Sequence, residues 1–438
     1  TYTIDNDADA GTTFAVSFET ADDVANASEV SHVSMTLAGV DSDAASVSVS
    51  IDDASGSTSA IVRSASKVGS DWVVSDVDLS ALVDGTITVT ATVTDAAGNT
   101  ATATDTLSLD NAAPTITIAT TLEGDNIVNI AEDATVVISG TTANVEDAQT
   151  VTVTFTDGTT TISKTTTVSS DAFTTSSAVA DITNLNDGPI TVTASVSDAH
   201  GNAAIAATRT ITLDNLAPQV SIDATLEVDN IVNNAEEGSV VVTGTSAGAV
   251  GRTVTVTADD SNGSTAAASG TATIATDGTY SVSLNVSGLD DGSITITAAV
   301  SDLAGNAATQ ATKTITLDDT APTVTIATTL EGDNKVNASE DGHVVVSGSS
   351  SGLESGRTVT VTLADSSSTV STTATVLGSG AWVAESADIS ALTDGNITVT
   401  ANASDTAGNA ASAATKTITL DNAAPTITIA TTLEGDNI

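Results

Sequence analysis

An internal period of about 104 residues constrains this chain more than any other feature. Four of its five prolines, Pro114, Pro218, Pro322 and Pro425, are separated by 104, 104 and 103 residues. Each closes a segment reading Leu-Asp-Asn/Asp-x-Ala-Pro, which begins at Leu109, Leu213, Leu317 and Leu420. A second motif, Leu-Glu-x-Asp-Asn, follows at Leu122, Leu226, Leu330 and Leu433, and a third, Asp-x-x-Gly-Asn, begins at Asp95, Asp198, Asp302 and Asp405. Solenoid units run to 20–50 residues, so a period this long is a domain period. The reading is four tandem domains over 1–113, 114–217, 218–321 and 322–424, with 425–438 as the first strand of a fifth. The first unit is divergent but in register: Asp5 and Asn6 match the linker, Asp22 and Asp23 match Asp125 and Asn126, and Glu29 matches Glu132.

Within a unit the pattern is that of strands. Ile190, Val192, Ala194 and Val196 alternate with Thr and Ser, and Thr115–Ala119, Thr135–Ser139, Thr150–Phe155 and Thr210–Leu213 behave likewise. β-branched residues in short alternating runs suit a half-buried pleated surface, and no window sustains a 3.6-residue apolar period. About seven such strands per unit, with turn signals between them, predict an all-β fold of tandem immunoglobulin-like antiparallel sandwiches. Trp72, Phe173, Tyr280 and Trp382 fall at one place in successive units and read as one core aromatic per domain rather than a sugar-stacking platform.

Charge narrows the partners. The chain carries 56 acids against 9 Lys and Arg, a net charge of −47. Nucleic acid needs clustered cations on its partner, and an anionic membrane surface is disfavoured for the same reason. An apolar fraction of 40% is too high for a disordered acidic tail. There is no cysteine, which excludes disulfides and thiolate metal sites. No apolar run is long enough to span a bilayer, and no signal peptide is visible. The chain starts inside a strand-like segment and stops inside a repeat motif, so it reads as part of something longer.

The recurring acids fall in three motifs that sandwich topology should bring to one place. If the first strand runs from the N-terminal to the C-terminal pole, the loop after it lies near the exit linker of the same domain. That groups Glu123, Asp125, Asn126 and Glu132 with Asp214 and Asn215. The corresponding sets are Glu227, Asp229, Asn230 and Glu236 with Asp318 and Asp319, and Glu331, Asp333, Asn334 and Glu340 with Asp421 and Asn422. In the first unit they are Asp22, Asp23 and Glu29 with Asp110 and Asn111. The loop before the last strand lies at the opposite pole and would face the preceding linker, which adds Asp198 with Asn202, Asp302 with Asn306, and Asp405 with Asn409; Asp95 and Asn99 would face an entry linker at Asp5 and Asn6. Unneutralised, such clusters repel. A hard cation with 6–8 oxygen ligands would turn repulsion into a clamp, so calcium is the predicted partner at each junction. Read motif by motif, Asp-x-x-Gly-Asn is equally a turn sequence with Gly at positive φ.

Enzyme signatures do not assemble. Gly244–Gly248 and Gly348–Gly352 match Gly-x-Ser-x-Gly, but they read as Ser/Gly-rich loops with no following helix. His32, His200 and His343 recur at no shared position. Asp5–Ala10 opens like an EF-hand loop but has Ala10 for the required Gly and Val16 for the bidentate Glu. The sequon at Asn285–Ser287 is of the kind a chain so rich in Asn, Ser and Thr is bound to contain.

The assembled motifs resemble the bacterial Ig-like repeats of giant repetitive biofilm-, ice- or host-binding adhesins of the RTX type. The resemblance rests on the linker motif followed by x-Ile-x-Ile, on Glu-Gly-Asp-Asn-Ile-Val-Asn from Glu123, and on Asp-Gly-x-Ile-Thr-Val-Thr-Ala-x-Val-x-Asp-x-x-Gly-Asn from Asp84. It covers the whole chain, most clearly from Leu82 onward. It implies a non-enzymatic extender of a cell-surface adhesin of a Gram-negative bacterium, exported by type I secretion, with adhesive domains elsewhere. It also implies calcium at the linkers, carried here by Asp110, Asp214, Asp318 and Asp421. Asp319 replaces Asn in one linker, Val228 replaces Gly in one Glu-x-Asp-Asn, and the first unit lacks that form. The expectation is a monomeric rod on the order of 150 Å, at roughly 30–45 Å per domain, whose partners are calcium and neighbouring repeats. The alternatives are repeats that themselves bind glycans or proteins, through loops such as Gly244–Thr253, or a spacer attached to a secreted hydrolase.

Overall fold

Alternation decides the architecture. In the strand Gly188–Ser195, Ile190, Val192 and Ala194 are fully buried while the residues between them face outward. A strand with one apolar face needs a second sheet to cover it, and each fully buried aliphatic side chain contributes about 1.5–3 kcal/mol. The computed structural model describes residues 7–8 and 13–429, and within them the strands form eight sheets in four facing pairs, each pair around its own core. Backbone packing divides the chain into two compact units, Thr1–Leu216 and Ala217–Ile438, each carrying two sandwiches. Among the described residues the helical element is a single 3₁₀ turn, Glu237–Ser239, and no helix is long and apolar enough to cross a membrane.

The second sandwich shows the plan. One sheet has three strands in the order Thr115–Ile118, Ser139–Ala143, Ala172–Thr174; the other has five, in the order Ile127–Val128, Ala207–Leu213, Gly188–Ser195, Thr150–Thr156, Thr161–Thr167. The third and fourth repeat this, and the first has four strands facing five. The count exceeds the seven strands read from the sequence because the first strand splits. After Thr115–Ile118 the chain turns at Leu122–Asn126 and crosses to the other sheet, where Ile127–Val128 runs parallel to the last strand, Val128 opposite Leu213. The same crossing sets Ala25 against Leu109, Val232 against Leu317 and Val336 against Leu420. Residues 135–138, read as strand, form only an isolated bridge at Val136, and pairing begins at Ser139. Residues 425–429 are described without a strand, and the remainder of the expected fifth-unit strand lies outside the described residues.

The aromatics are seated by glycines. Phe173, Tyr280 and Trp382 lie directly across the ladder from Gly140, Gly244 and Gly348, and all three rings are buried. A Cβ on Gly348 would stand 1.9 Å from the Thr325 carbonyl oxygen and 2.3 Å from the Trp382 ring, so each ring lies across a strand that has no side chain there. Trp72 departs from the expected core position. It faces Leu37, not glycine, and is only half-buried, because Met35 and Leu37 already fill that core. The glycines opposite Tyr280 and Trp382 open the two Gly-x-Ser-x-Gly matches, which lie on the strands Val240–Ala247 and Ser347–Ser351 rather than in loops. Ser246 Oγ donates to the Gln219 carbonyl and Ser350 Oγ to the Gly380 carbonyl, so neither hydroxyl has a nucleophile's setting.

Gly348→Ala should destabilise its domain by about 1–3 kcal/mol through overpacking against Trp382. Gly342→Ala, where the added carbon meets nothing within 4 Å, should be near neutral in the same denaturant titration.

Candidate functional site at the domain joints

The acids of Leu-Glu-x-Asp-Asn are held first by their own domain. Asn126 adopts φ 68°, within the left-handed region that Asn tolerates, and its Oδ1 accepts the Leu122 amide at 3.0 Å. Asp125 Oδ1 accepts the Ile127 amide and Glu123 Oε1 the Val137 amide, at 2.8 and 2.6 Å. The pattern recurs at Glu227, Asp229 and Asn230, and again at Glu331, Asp333 and Asn334. In the first unit Asp22 accepts the Val24 amide and Asp23 takes the left-handed position at φ 60°. These residues pin the crossover between sheets. Topology also moves them: Asn126 lies level with Thr212, short of the exit linker, because the crossing segment continues upward beside the last strand. Val228 occupies this turn at φ 70° where the second and fourth units have Gly at 82–87°, a costly conformation for a β-branched residue.

What reaches the exit is the segment after the crossing. Glu132 Oε2 accepts the Asn129 amide at 3.1 Å and Asn129 Oδ1 accepts the Ala131 amide, a reciprocal capping box. Glu29, Glu236 and Glu340 cap Asn26, Asn233 and Asn337 in the same way. These four asparagines were missed in the sequence, although an Asn three residues before the recurring Glu was there to be read.

The Asp-x-x-Gly-Asn turn supplies the other side of the joint. Asp198 is buried; its Oδ1 accepts the His200 and Asn202 amides and its Oδ2 the Asn202 side-chain amide. Asp95, Asp302 and Asp405 hold Asn99, Asn306 and Asn409 likewise. Burial pulls the Asp95 carboxyl up, but the hydrogen bonds from Asn99 and its neighbours prevail and hold it below the usual range. The aspartate thus fixes an asparagine, and the asparagine crosses the joint. Asn202 Oδ1 accepts the Ala27 amide at 2.6 Å, and its Nδ2 donates to the Asp110 carbonyl at 3.1 Å. In the second unit Asn409 Oδ1 accepts the Asn234 amide at 2.9 Å and its Nδ2 donates to the Asp318 carbonyl at 2.7 Å, while Asn233 Nδ2 donates to the Ala407 carbonyl at 3.1 Å.

The linkers themselves are pinned by carboxylates outside the expected set. Asp84, Asp187, Asp291 and Asp394 accept the amides of Asn111, Asn215, Asp319 and Asn422 at 2.9–3.0 Å. Asp214 Oδ1 accepts the Leu216 amide, and Asp421 is exposed at the end of the last strand. Asn215 donates to Asp133 and Asn422 to Asp341. At the equivalent place Asp319 meets Glu237, whose carboxyl is raised by burial and by the Asp319 carboxylate, and whose Oε2 is enclosed without a partner. Burial, then the Asp405 carboxylate, also raises Asp318. The joint at 110–114 differs: Asp110 Oδ2 lies 2.8 Å from His200 Nδ1, and ligand atoms of Asp110, Glu146 and His200 lie within 4.8 Å of one another. Asp5 and Asn6 lie outside the described residues.

A further carboxylate recurs in all four sandwiches, in the loops beside the linker-pinning aspartates. Asp157 accepts the Thr160, Asn186 and Thr159 amides, which hold its carboxyl far below the usual range; Asp53, Asp260 and Asp365 are similarly depressed. Each ties a hairpin to the loop before the next long strand.

Two outcomes follow. Asn202→Ala strands the Ala27 amide and the Asp110 carbonyl, at about 1–3 kcal/mol for an unsatisfied buried group, and should accelerate hydrogen exchange at Ala27 while leaving the core amides of both domains protected. For Asp157, a folded pKa below the unfolded value means stability that is present above about pH 4 and lost as pH falls through the depressed pKa. Asp157→Asn should therefore lower the melting temperature most at pH 7, and the difference should shrink steadily as pH falls below about 4.

The sequence profile of bacterial Ig-like domains, group 3, matches residues 278–382 and 381–438. The first match is one period long and begins half a unit out of phase with the sandwiches. No curated protein matches the chain. Among solved structures it is similar to a tetra-tandem repeat from the extending region of a large adhesion protein, at 29% identity over 94% of this chain and 99% of that one, TM-score 0.39. It is similar also to a Ca²⁺-stabilized adhesin with which an Antarctic bacterium reaches out and binds ice, at 29% identity over 93% and 99%, TM-score 0.40. A third likeness is to a 1.5-MDa bacterial ice-binding adhesin, at 25% identity over 71% and 98%, TM-score 0.35. Residues 278–438 match the bacterial Ig-like domains of group 3, and the units before them repeat the same period, motifs and paired sheets.

Proposed function

We propose that this chain is a spacer: a run of Ig-like domains in an extracellular bacterial surface protein, whose task is to hold an adhesive region away from the cell. The observation that carries this reading is the asparagine joint. In both compact units a buried Asn of one domain hydrogen-bonds the preceding domain twice, once at its linker carbonyl and once at its capped loop. A chain built only to tether would leave its linkers solvated and flexible. Here the linker backbone is a hydrogen-bonding partner of both neighbours. Twelve acids and two bases in 114–217 add repulsion between copies, which favours a soluble, unassociated chain.

Calcium at the joints is part of the proposal. At the joint at 318–322 the donors are all oxygen: Asp318 and Asp319 from the linker, Glu237 with its enclosed Oε2, and the carboxylates of Asp291 and Glu354 nearby. That set fits a hard cation, and burial followed by the neighbouring carboxylates raises the carboxyls of Glu237 and Asp318. These residues would hold the ion, which would supply positive charge between two domains. Asp405 would contribute indirectly, since both its oxygens accept hydrogen bonds within its own turn.

Small-angle scattering of the full chain should give a larger maximum dimension in millimolar calcium than after chelation. The substitutions Asp318→Asn and Asp319→Asn together should remove part of that difference. A profile indifferent to calcium would overturn the clamp.

A further inference from the structure

His200 is the residue that distinguishes the joint at 110–114. It stands at the second variable position of the Asp-x-x-Gly-Asn turn, where the other three units have Ala97, Ala304 and Ala407. We infer that this joint is a site for a nitrogen-preferring divalent metal of the zinc class, held by His200, Asp110 and Glu146 and joining two domains through one ion.

The three side chains converge from separate elements and are aimed by backbone donors. The turn aspartate Asp198 accepts the His200 amide, which fixes the base of the imidazole. Asp110 ends the last strand of the preceding domain; its Oδ1 accepts the Ala112 amide at 3.2 Å, and its Oδ2 faces His200 Nδ1 at 2.8 Å. Glu146 comes from the loop before the strand Thr150–Thr156, with Oε2 accepting the Ala199 amide at 2.7 Å. Such hydrogen bonds on the atoms behind the ligands are what metal sites use to orient them. They line a cleft of about 560 Å³ at the joint, to which Asp84 and Asp171 add further carboxylates. His200 and Asp110 are about one third and one fifth exposed, open enough for an ion to enter.

Spacing and donor chemistry agree on the class of metal. Nitrogen and oxygen ligands at roughly 2.0–2.2 Å from zinc, set about 90–110° apart, stand near 3 Å from each other. The Nδ1–Oδ2 separation of 2.8 Å needs only a small opening to admit the ion between them, with the proton on Nδ1 displaced to solvent. A neutral imidazole is a favoured ligand of zinc and a poor one for calcium, which takes oxygens. The joint at 318–322 has Ala407 in this place and stays an all-oxygen set. The inference concerns a different ion and does not rest on the calcium reading.

The test is calorimetric titration of the full chain with zinc chloride, with and without millimolar calcium, alongside His200→Ala, Glu146→Gln and the double variant His32→Ala/His343→Ala. His200→Ala introduces the residue that stands at this position in the other three units, so loss of fold is not in question. One zinc per chain is expected, insensitive to calcium, weakened at least tenfold by His200→Ala and clearly by Glu146→Gln, and unchanged in the double variant. No zinc binding, binding unaffected by His200→Ala, or displacement by calcium at equal concentration would each overturn the assignment.

Discussion

The backbone amide is the principal counter-charge in this protein. With 56 acids against 9 lysines and arginines, side-chain cations are too few to neutralise the carboxylates. Among the described residues Asp76 and Asp110 lie against histidines, while Lys416 and Arg209 donate to main-chain carbonyls at the end of the first strand. Carboxylates instead accept from one to three N–H groups apiece, in turns that present them. Each acceptance satisfies a donor the loop would otherwise leave bare, and at Asp157 and Asp365 the amides hold the carboxyl far below the usual range. The acidity of the chain and the order of its loops are therefore one phenomenon. Without cysteines or large aromatic cores, these carboxylate-centred turns hold the ends of the sandwiches.

The joints extend the same economy across domain boundaries, with one chemical change. A carboxylate could accept the Ala27 amide but could offer nothing to the Asp110 carbonyl. Asparagine does both at once, being a donor and an acceptor on one planar group. It is also neutral, which matters where the linker supplies its own aspartate. The buried Asp198 behind it accepts the remaining amide hydrogen and so fixes which way the group is turned. Burying an Asp–Asn pair at the pole of a domain is justified only when the neighbouring backbone is there to complete it.

The fold was legible because its signals are local or periodic: two-residue alternation, turn residues between runs, and a repeat that aligns four copies of each. The seating of Phe173 on Gly140 was not, since it joins residues 33 apart and neither carries the signal alone. The acids show a subtler limit. Glu-x-Asp-Asn and Asp-x-x-Gly-Asn have the residue types of a cation site and equally those of turns that bond their own amides, and sequence spacing does not separate the two. Asn129 and Asp84 lay inside the quoted motifs with no role assigned, because a role at the joint depends on which strand the chain crosses to after Asn126. That crossing is a tertiary choice, set by a two-residue parallel ladder too short to announce itself. Trp72 fails for a related reason: its unit keeps the aromatic but lacks the glycine that would seat it.

Seen along the chain, the sandwiches vary little where they pack and differ where they meet. The Asn215–Asp133 pair of one exit becomes Asp319–Glu237 in the next, exchanging a hydrogen bond for two like charges, and Asn422–Asp341 restores it. Ala407 at one joint is His200 at another. None of these changes touches a core, so none is forced by folding; a half-buried Glu237 set against the Asp319 carboxylate is a cost the domain would shed if an amide served as well. The differences therefore gather at the joints, where groups from two domains come together, and the unequal joints rather than the sandwiches tell the units apart.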